Sequence, residues 1–152
     1  MVISLDQQLV KQIEDICSAR GVRLTTQRKR VFELICASAK ASSAYELLEE
    51  LKQSEPQAKP PTVYRALEFL LEQGFIHRVE STNSYIQCVS CNAHKHFSQL
   101  LICDGCGSVI ELQDDSLIAL LAKNAEKHGF AINNHVIESH GTCQACISDK
   151  EK

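Results

Sequence analysis

Two Cys-x-x-Cys pairs constrain this chain most. They are Cys103-Asp104-Gly105-Cys106 and Cys143-Gln144-Ala145-Cys146, separated by 36 residues. Four thiolates in two such pairs close a tetrahedral shell around one Zn²⁺. Gly105 and Gly107 flank the turn, and glycine permits backbone conformations that aim two sulfurs at one point. The competing chemistry is a redox dithiol. A redox pair ordinarily opens a helix after a strand. Here Leu100-Leu101-Ile102 precedes Cys103, and a second strand-like run, Ser108 to Leu112, follows. A structural zinc site fits that setting better.

At 152 residues the chain makes one domain or two small ones. Small domains bury limited core, so a metal staple or dimerisation adds needed stability. The net charge of −3 argues against a generic nucleic-acid binder. Its distribution is more informative. Residues 1–82 hold 11 Lys/Arg and 11 Asp/Glu, whereas residues 83–152 hold 5 and 8. Basic residues cluster at Arg28-Lys29-Arg30. Asp6, Lys11 and Glu14 interrupt the first apolar positions, so no signal-peptide core forms, and no run reaches transmembrane length. A cytoplasmic, membrane-free protein is expected, whose eight cysteines are metal ligands and free thiols.

Leu5, Leu9, Ile13 and Ile16 space a first helix over residues 4–20, with Gly21 as terminator. Thr25 or Thr26 caps a second, whose apolar face is Val31, Leu34 and Ile35. Ser43-Ala44-Tyr45-Glu46 is a capping box, opening a third helix with Leu47, Leu48 and Leu51. Pro61 suits the first position of a fourth helix, which ends at Gly74. That helix buries Val63, Ala66, Leu67 and Leu70 and turns Thr62, Arg65, Glu68 and Phe69 elsewhere. Phe75 to Glu80 and Tyr85 to Val89 read as a hairpin about Ser81-Thr82-Asn83-Ser84. The plan is a winged helix-turn-helix whose fourth helix enters the DNA major groove. With Glu80 opposite Tyr85, the register sets His77 opposite Cys88, close enough to share a metal. Cys91 is a rival for Cys88.

Beyond residue 90 the composition shifts to Cys, His, Asn and Ser. The expected organisation is α+β: residues 1–82 the winged-helix domain, 83–95 a hinge, and 96–152 a small α/β dimerisation and metal-binding domain. Strands are expected at Leu100–Ile102, Ser108–Leu112 and Ala131–Ser139. A helix capped by Asp114-Asp115 carries Leu117, Leu120 and Leu121. Ser148 to Lys152 is expected to fray.

Pro60-Pro61-Thr62-Val63-Tyr64-Arg65-Ala66-Leu67, joined to the two Cys-x-x-Cys pairs, resembles the ferric uptake regulator (Fur) family. Arg23-Leu24-Thr25-Thr26-Gln27-Arg28 resembles the family's entry to its second helix, with Thr26 where proline is common. His135 and the run to Cys143 resemble its closing strand. The stretch from Ala58 to Tyr85 is most similar to members that sense zinc. The resemblance implies a homodimeric repressor that, loaded with zinc, binds an AT-rich palindromic operator and represses zinc-uptake genes. It assigns structural zinc to Cys103, Cys106, Cys143 and Cys146, and regulatory zinc to His77, Cys88, His96 and Glu111. His94 competes with His96. Thiolate, imidazole and carboxylate ligands suit tetrahedral Zn²⁺ better than octahedral Mn²⁺. A third site from His94, His128, His135 or His140 lacks an oxygen ligand, because Lys95 stands where several relatives carry Asp.

Arg65 is the best base reader, since a guanidinium bonds guanine O6 and N7 together. Tyr45 and Tyr64 resemble family residues that touch DNA. Arg23, Arg28 and Lys59 are phosphate candidates, and Thr62 completes the expected DNA-binding set. The alternatives are a Fur-family regulator sensing iron, manganese or peroxide, and a Cys-x-x-Cys thiol oxidoreductase. No Ser/His/Asp set or phosphate-binding glycine loop suggests another enzyme or a small organic ligand.

Overall fold

The computed structural model describes residues 5–91 and 98–150. They fall into two compact units, Met1–His94 and Lys95–Lys152. The stretch expected to be a hinge, 83–95, opens with a strand of the first unit's sheet and includes Cys88 and Cys91, both buried in its core.

The first unit runs α1 (Leu5–Arg20), α2 (Thr26–Ala37), β1 (Ser42–Ser43), α3 (Ala44–Ser54), α4 (Pro60–Glu72), β2 (Ile76–Val79) and β3 (Ser84–Gln87). Thr25 caps α2, its hydroxyl oxygen accepting from the Arg28 N–H at 3.3 Å. The capping box of α3 is formed: Glu46 N–H donates to Ser43 Oγ at 3.2 Å, and Ser43 N–H donates to Glu46 Oε2 at 2.8 Å. Those bonds from Ser43 favour the carboxylate and lower the Glu46 pKa. Helix α4 begins at Pro60, one residue before the expected start, with both prolines where no amide proton is needed. Gly74 ends it at φ +74°, a conformation glycine adopts without penalty.

Val63, Ala66, Leu67 and Leu70 bury one face of α4, as the pattern predicts. Each larger aliphatic side chain contributes about 1.5–3 kcal/mol by leaving water. Phe69 departs from the expectation. It is also buried, because the Arg28 guanidinium covers its ring from α2. Phe32 and Phe75 meet edge to face, with centroids 6.4 Å apart, beneath α2 and the α4 terminus.

The wing is a three-stranded sheet ordered β1-β3-β2. Its register corrects the sequence reading by two residues. Val79 pairs with Ser84 and His77 with Ile86, so the loop is residues 80–83. Asn83 takes φ +48°, and Asn tolerates that left-handed conformation better than most residues. A slip of two preserves the face, so Cys88 becomes the diagonal neighbour of His77 on one side of the hairpin. The Cys88 N–H bond to the Phe75 carbonyl, at 2.9 Å, continues the same register.

The second unit holds β4 (Gln99–Cys103), β5 (Val109–Leu112), α5 (Asp115–Lys127), β6 (Ile137–Gly141) and α6 (Gln144–Lys150). Strand β4 is central, antiparallel to β5 and parallel to β6. The expected strand from Ala131 is shorter. It begins at Ile137, opposite Gln99, and runs to Gly141, opposite Cys103. The tail expected to fray is helical through Lys150, anchored by the Ile147 N–H bond to the Cys143 carbonyl at 2.9 Å. Asp114 caps α5, accepting from Ser116 N–H at 2.9 Å. No residue of α5 is buried. Leu120 on α5 and Ile110 on β5 are more than half exposed, and Leu112, Leu117 and Leu121 are also exposed.

Candidate metal centre and nucleic-acid interface

In the second unit β4 and β6 run parallel, with Cys103 beside Gly141, so the turns leaving them approach each other. Cys103 and Cys106 leave one turn, Cys143 and Cys146 the other. One Sγ from each of the four lies within 4.8 Å of every other. Cys106 and Cys143 sulfurs are 3.7 Å apart. A tetrahedral ZnS₄ centre with Zn–S bonds of about 2.3 Å has an S···S edge of about 3.8 Å. The donor set and the spacing therefore fit one zinc ion.

The backbone prepares these sulfurs. Cys143 N–H donates to Cys103 Sγ at 3.2 Å. That bond leads the causes that pull the Cys103 thiol down to about 6. Ser108 Oγ sits 3.2 Å from Cys106 Sγ and lowers that thiol as well. Cys146 is pushed up to about 12 by hydrogen bonds with its sulfur neighbours, Cys143 first. Four sulfurs without a cation cannot all ionise at such short range. A divalent cation removes that conflict by holding all four as thiolates.

The two turn glycines serve different purposes. Gly107 takes φ +73°, as conformational freedom requires. Gly105 is not in that region; a Cβ there would meet Cys146 Sγ at 3.0 Å. Glycine at 105 makes room for a sulfur. His140 Nδ1 lies 2.9 Å from Asp104 Oδ1, and Asp104 N–H donates to the Gly141 carbonyl at 2.9 Å, tying the first knuckle to β6. Those ties, and Ser108, were not legible in the sequence, where spacing singled out only the cysteines. Among the described residues, His128, His135 and His140 join no group of three metal-ligating side chains.

In the first unit a ring nitrogen of His77 lies within 4.8 Å of Cys88 Sγ. Ser90 N–H donates to that sulfur at 3.3 Å. Cys91, the rival, turns its thiol to donate to the Cys88 carbonyl at 3.2 Å. An imidazole and a thiolate make half of a tetrahedral zinc shell. Glu111 stands on β5 opposite Leu100, with Oε1 accepting from Ser98 Oγ at 2.7 Å. His96 and His94 lie outside the described residues. Cys17 is buried in the helical core, and burial pushes its thiol up, which suits packing rather than ligation.

The first unit also exposes several of the residues expected to touch DNA. Tyr45 at the start of α3 is 72% exposed and Tyr64 on α4 is 56% exposed. A phenol left in water that far is not a core residue. Lys59 and Arg65, close to Tyr64 in sequence, are exposed, and so is Arg23 ahead of α2. Two members of the expected set are engaged within the protein. Thr62 Oγ1 accepts from Lys59 N–H at 3.4 Å, and Arg28 is stacked on Phe69.

A winged helix with an exposed fourth helix, followed by an α/β unit carrying a four-thiolate zinc site, defines a class: the metal-dependent winged-helix proteins. The Ferric uptake regulator family profile matches residues 19–140, and the chain belongs to that family. It is 52% identical to the zinc uptake regulation protein of Escherichia coli K12 over 141 residues, covering 93% of this chain and 82% of that protein. It is 36% identical to the zinc uptake regulation protein of Mycobacterium tuberculosis over 131 residues, covering 86% and 99%. Among solved structures, a zinc uptake regulator complexed with zinc and DNA superposes with a TM-score of 0.95 at 49% identity, covering 99% of this chain and 100% of that one.

Proposed function

We propose that this chain is a zinc-responsive transcriptional repressor. It acts in the bacterial cytoplasm as a homodimer, binds an AT-rich palindromic operator when its regulatory zinc is loaded, and silences zinc-uptake genes. The observation that carries this reading is the near-complete superposition on a zinc uptake regulator holding both zinc and DNA. The winged helix supplies the groove-reading element. Arg65 reads bases, with Tyr45, Tyr64 and Thr62 alongside, while Arg23 and Lys59 contact phosphates. The exposed apolar residues of α5 and β5 supply the dimer contact, since apolar area of that extent on a small unit calls for a partner. A two-fold dimer then matches the palindrome.

Two zinc ions per chain divide the work. The Cys103, Cys106, Cys143 and Cys146 centre holds its ion in every functional state and shapes the second unit. The regulatory ion is held by His77 and Cys88 from the wing and by His96 and Glu111 from the second unit. A shell drawing ligands from both units is satisfied only at one relative orientation, which couples zinc to the spacing of the two recognition helices. The chain is a regulator rather than an enzyme, and no helix among the described residues is long and apolar enough to cross a membrane.

Cys88→Ser tests the regulatory site. The variant should remain a folded dimer, keep its four-thiolate zinc, and lose the gain in operator affinity on adding zinc. Wild-type zinc response in that protein would remove Cys88 from the site.

A further inference from the structure

Arg28 was expected to neutralise a DNA phosphate, but its side chain is already engaged. Its guanidinium carbon sits 3.9 Å from the centroid of Phe69 on α4. Its Nη1 donates to the Arg23 carbonyl at 2.6 Å, and its backbone N–H meets the Thr25 cap. One residue thus fixes the turn that carries Arg23 and, at the same time, the helix that carries Arg65. Phe69 lies one turn beyond Arg65 on α4, so the two move together.

A second arginine grips the same helix further along. Arg20, the last residue of α1, donates from Nη1 to the Gln73 carbonyl at 2.7 Å and to Gln73 Oε1 at 3.2 Å. Its guanidinium lies 5.4 Å from the Phe75 ring centroid. A cation at a helix C-terminus is favoured by the helix dipole, and a guanidinium face over an aromatic ring adds to that. Among the described contacts these two arginines bind α4 through polar and ring interactions that helical packing alone does not supply.

We propose that Arg28 and Arg20 form a clamp that sets the pose of the recognition helix, and that Arg28 is a positioning residue rather than a phosphate contact. The proposal rests on the DNA-binding reading above. A guanidinium stacked on a ring and bonded to a carbonyl is held where those two contacts put it, and reaching away to a phosphate breaks both. The two roles leave different signatures. A phosphate contact is mainly charge, so lysine replaces it, and its loss lowers the salt slope of binding by about one. A stacked, planar clamp is not replaced by lysine. Its loss shifts Arg65, whose base contacts depend on exact placement, and leaves the number of charges that reach phosphates unchanged, which weakens discrimination at an unchanged salt slope.

The test measures operator and random-sequence DNA binding across salt concentrations for wild type, Arg28→Lys, Arg28→Gln and Phe69→Leu. The zinc-loaded proteins are first matched for zinc content and melting temperature. Arg28→Lys should weaken operator binding roughly 5- to 30-fold, the range a cation–π contact can transmit, and lower the operator-to-random ratio at unchanged salt slope. Phe69→Leu should reproduce that loss, and combining it with Arg28→Lys should add little. Full affinity in Arg28→Lys, or a slope reduced by about one in Arg28→Gln with the ratio intact, overturns the clamp. If Phe69→Leu melts early, the two Arg28 variants decide alone. A wild-type protein without operator preference would overturn the DNA-binding reading, and the clamp with it.

Discussion

Replacing Gly105 by alanine isolates the tightest contact of the zinc knuckle. The added Cβ would lie 3.0 Å from Cys146 Sγ, 3.4 Å from Cys146 Cβ and 3.6 Å from Cys103 Sγ. Ordinary contact begins near 3.4 Å, so the Cys146 sulfur must retreat by about 0.4 Å. Zinc–sulfur distances tolerate only about 0.2 Å. Overpacking of this kind costs about 1–3 kcal/mol, which corresponds to roughly 5- to 150-fold in zinc affinity. The residue is outside the left-handed region, so alanine adds no backbone strain. Its entropic effect on the unfolded chain, up to about 1 kcal/mol, acts on folding and not on metal affinity in the folded protein. The assay is cobalt substitution in a Cys88→Ser background, where thiolate-to-metal absorption comes from the four-thiolate centre and not from the His/Cys site, followed by displacement with a competing chelator. Gly141→Ala is the control, because a Cβ there meets nothing within 4 Å. Equal cobalt retention by Gly105→Ala and wild type would refute the steric reasoning, and equal weakening by Gly141→Ala would refute its specificity.

Two other outcomes follow from the same geometry. Arg65→Ala should lose about 1–3 kcal/mol of operator discrimination, measured as the ratio of operator to random-DNA affinity; an equal loss on both would make Arg65 a phosphate contact. Zinc uptake by the four-thiolate site should depend on pH in two regimes. Protons compete with zinc for sulfur, so affinity rises with pH. Above about pH 6 Cys103 is already a thiolate and releases no proton, whereas Cys146, pushed up to about 12, releases one. As pH falls through about 6, Cys103 must also deprotonate on binding, and the dependence steepens. Calorimetry of chelator-stripped protein in buffers of differing ionisation enthalpy counts those protons. A dependence of constant slope across pH 6 would contradict the Cys103 assignment.

The sequence carried the local features well, because each rests on adjacent residues. The Thr25 cap, the Ser43–Glu46 box, the Gly74 stop and the two cysteine knuckles all depend on spacings of four residues or fewer. Features decided by distant partners were harder to read. Phe69 shares a helical face with exposed residues, and its burial depends on Arg28, far away in sequence. Strand β6 covers Ile137–Gly141, the residues that pair with Gln99–Cys103 of β4, which no pattern within residues 131–139 records. The hairpin loop was legible as four polar residues, but both 80–83 and 81–84 qualify. Asn83 in its left-handed conformation selects the first. The slip of two left His77 and Cys88 on one face, which is why the two side chains come together despite an incorrect register. The role of Gly105 was misread as conformational because the sulfur it accommodates arrives from Cys146, across the knuckle.

The central claim, that zinc in a second site turns on DNA binding, is tested most directly by titrating operator affinity against buffered free zinc while counting bound metal. The account predicts weak binding with one zinc per chain, held by the four thiolates, and a steep gain in operator affinity as a second zinc per chain is taken up. Operator affinity that is already full at one zinc per chain, or that falls as the second zinc binds, would contradict it.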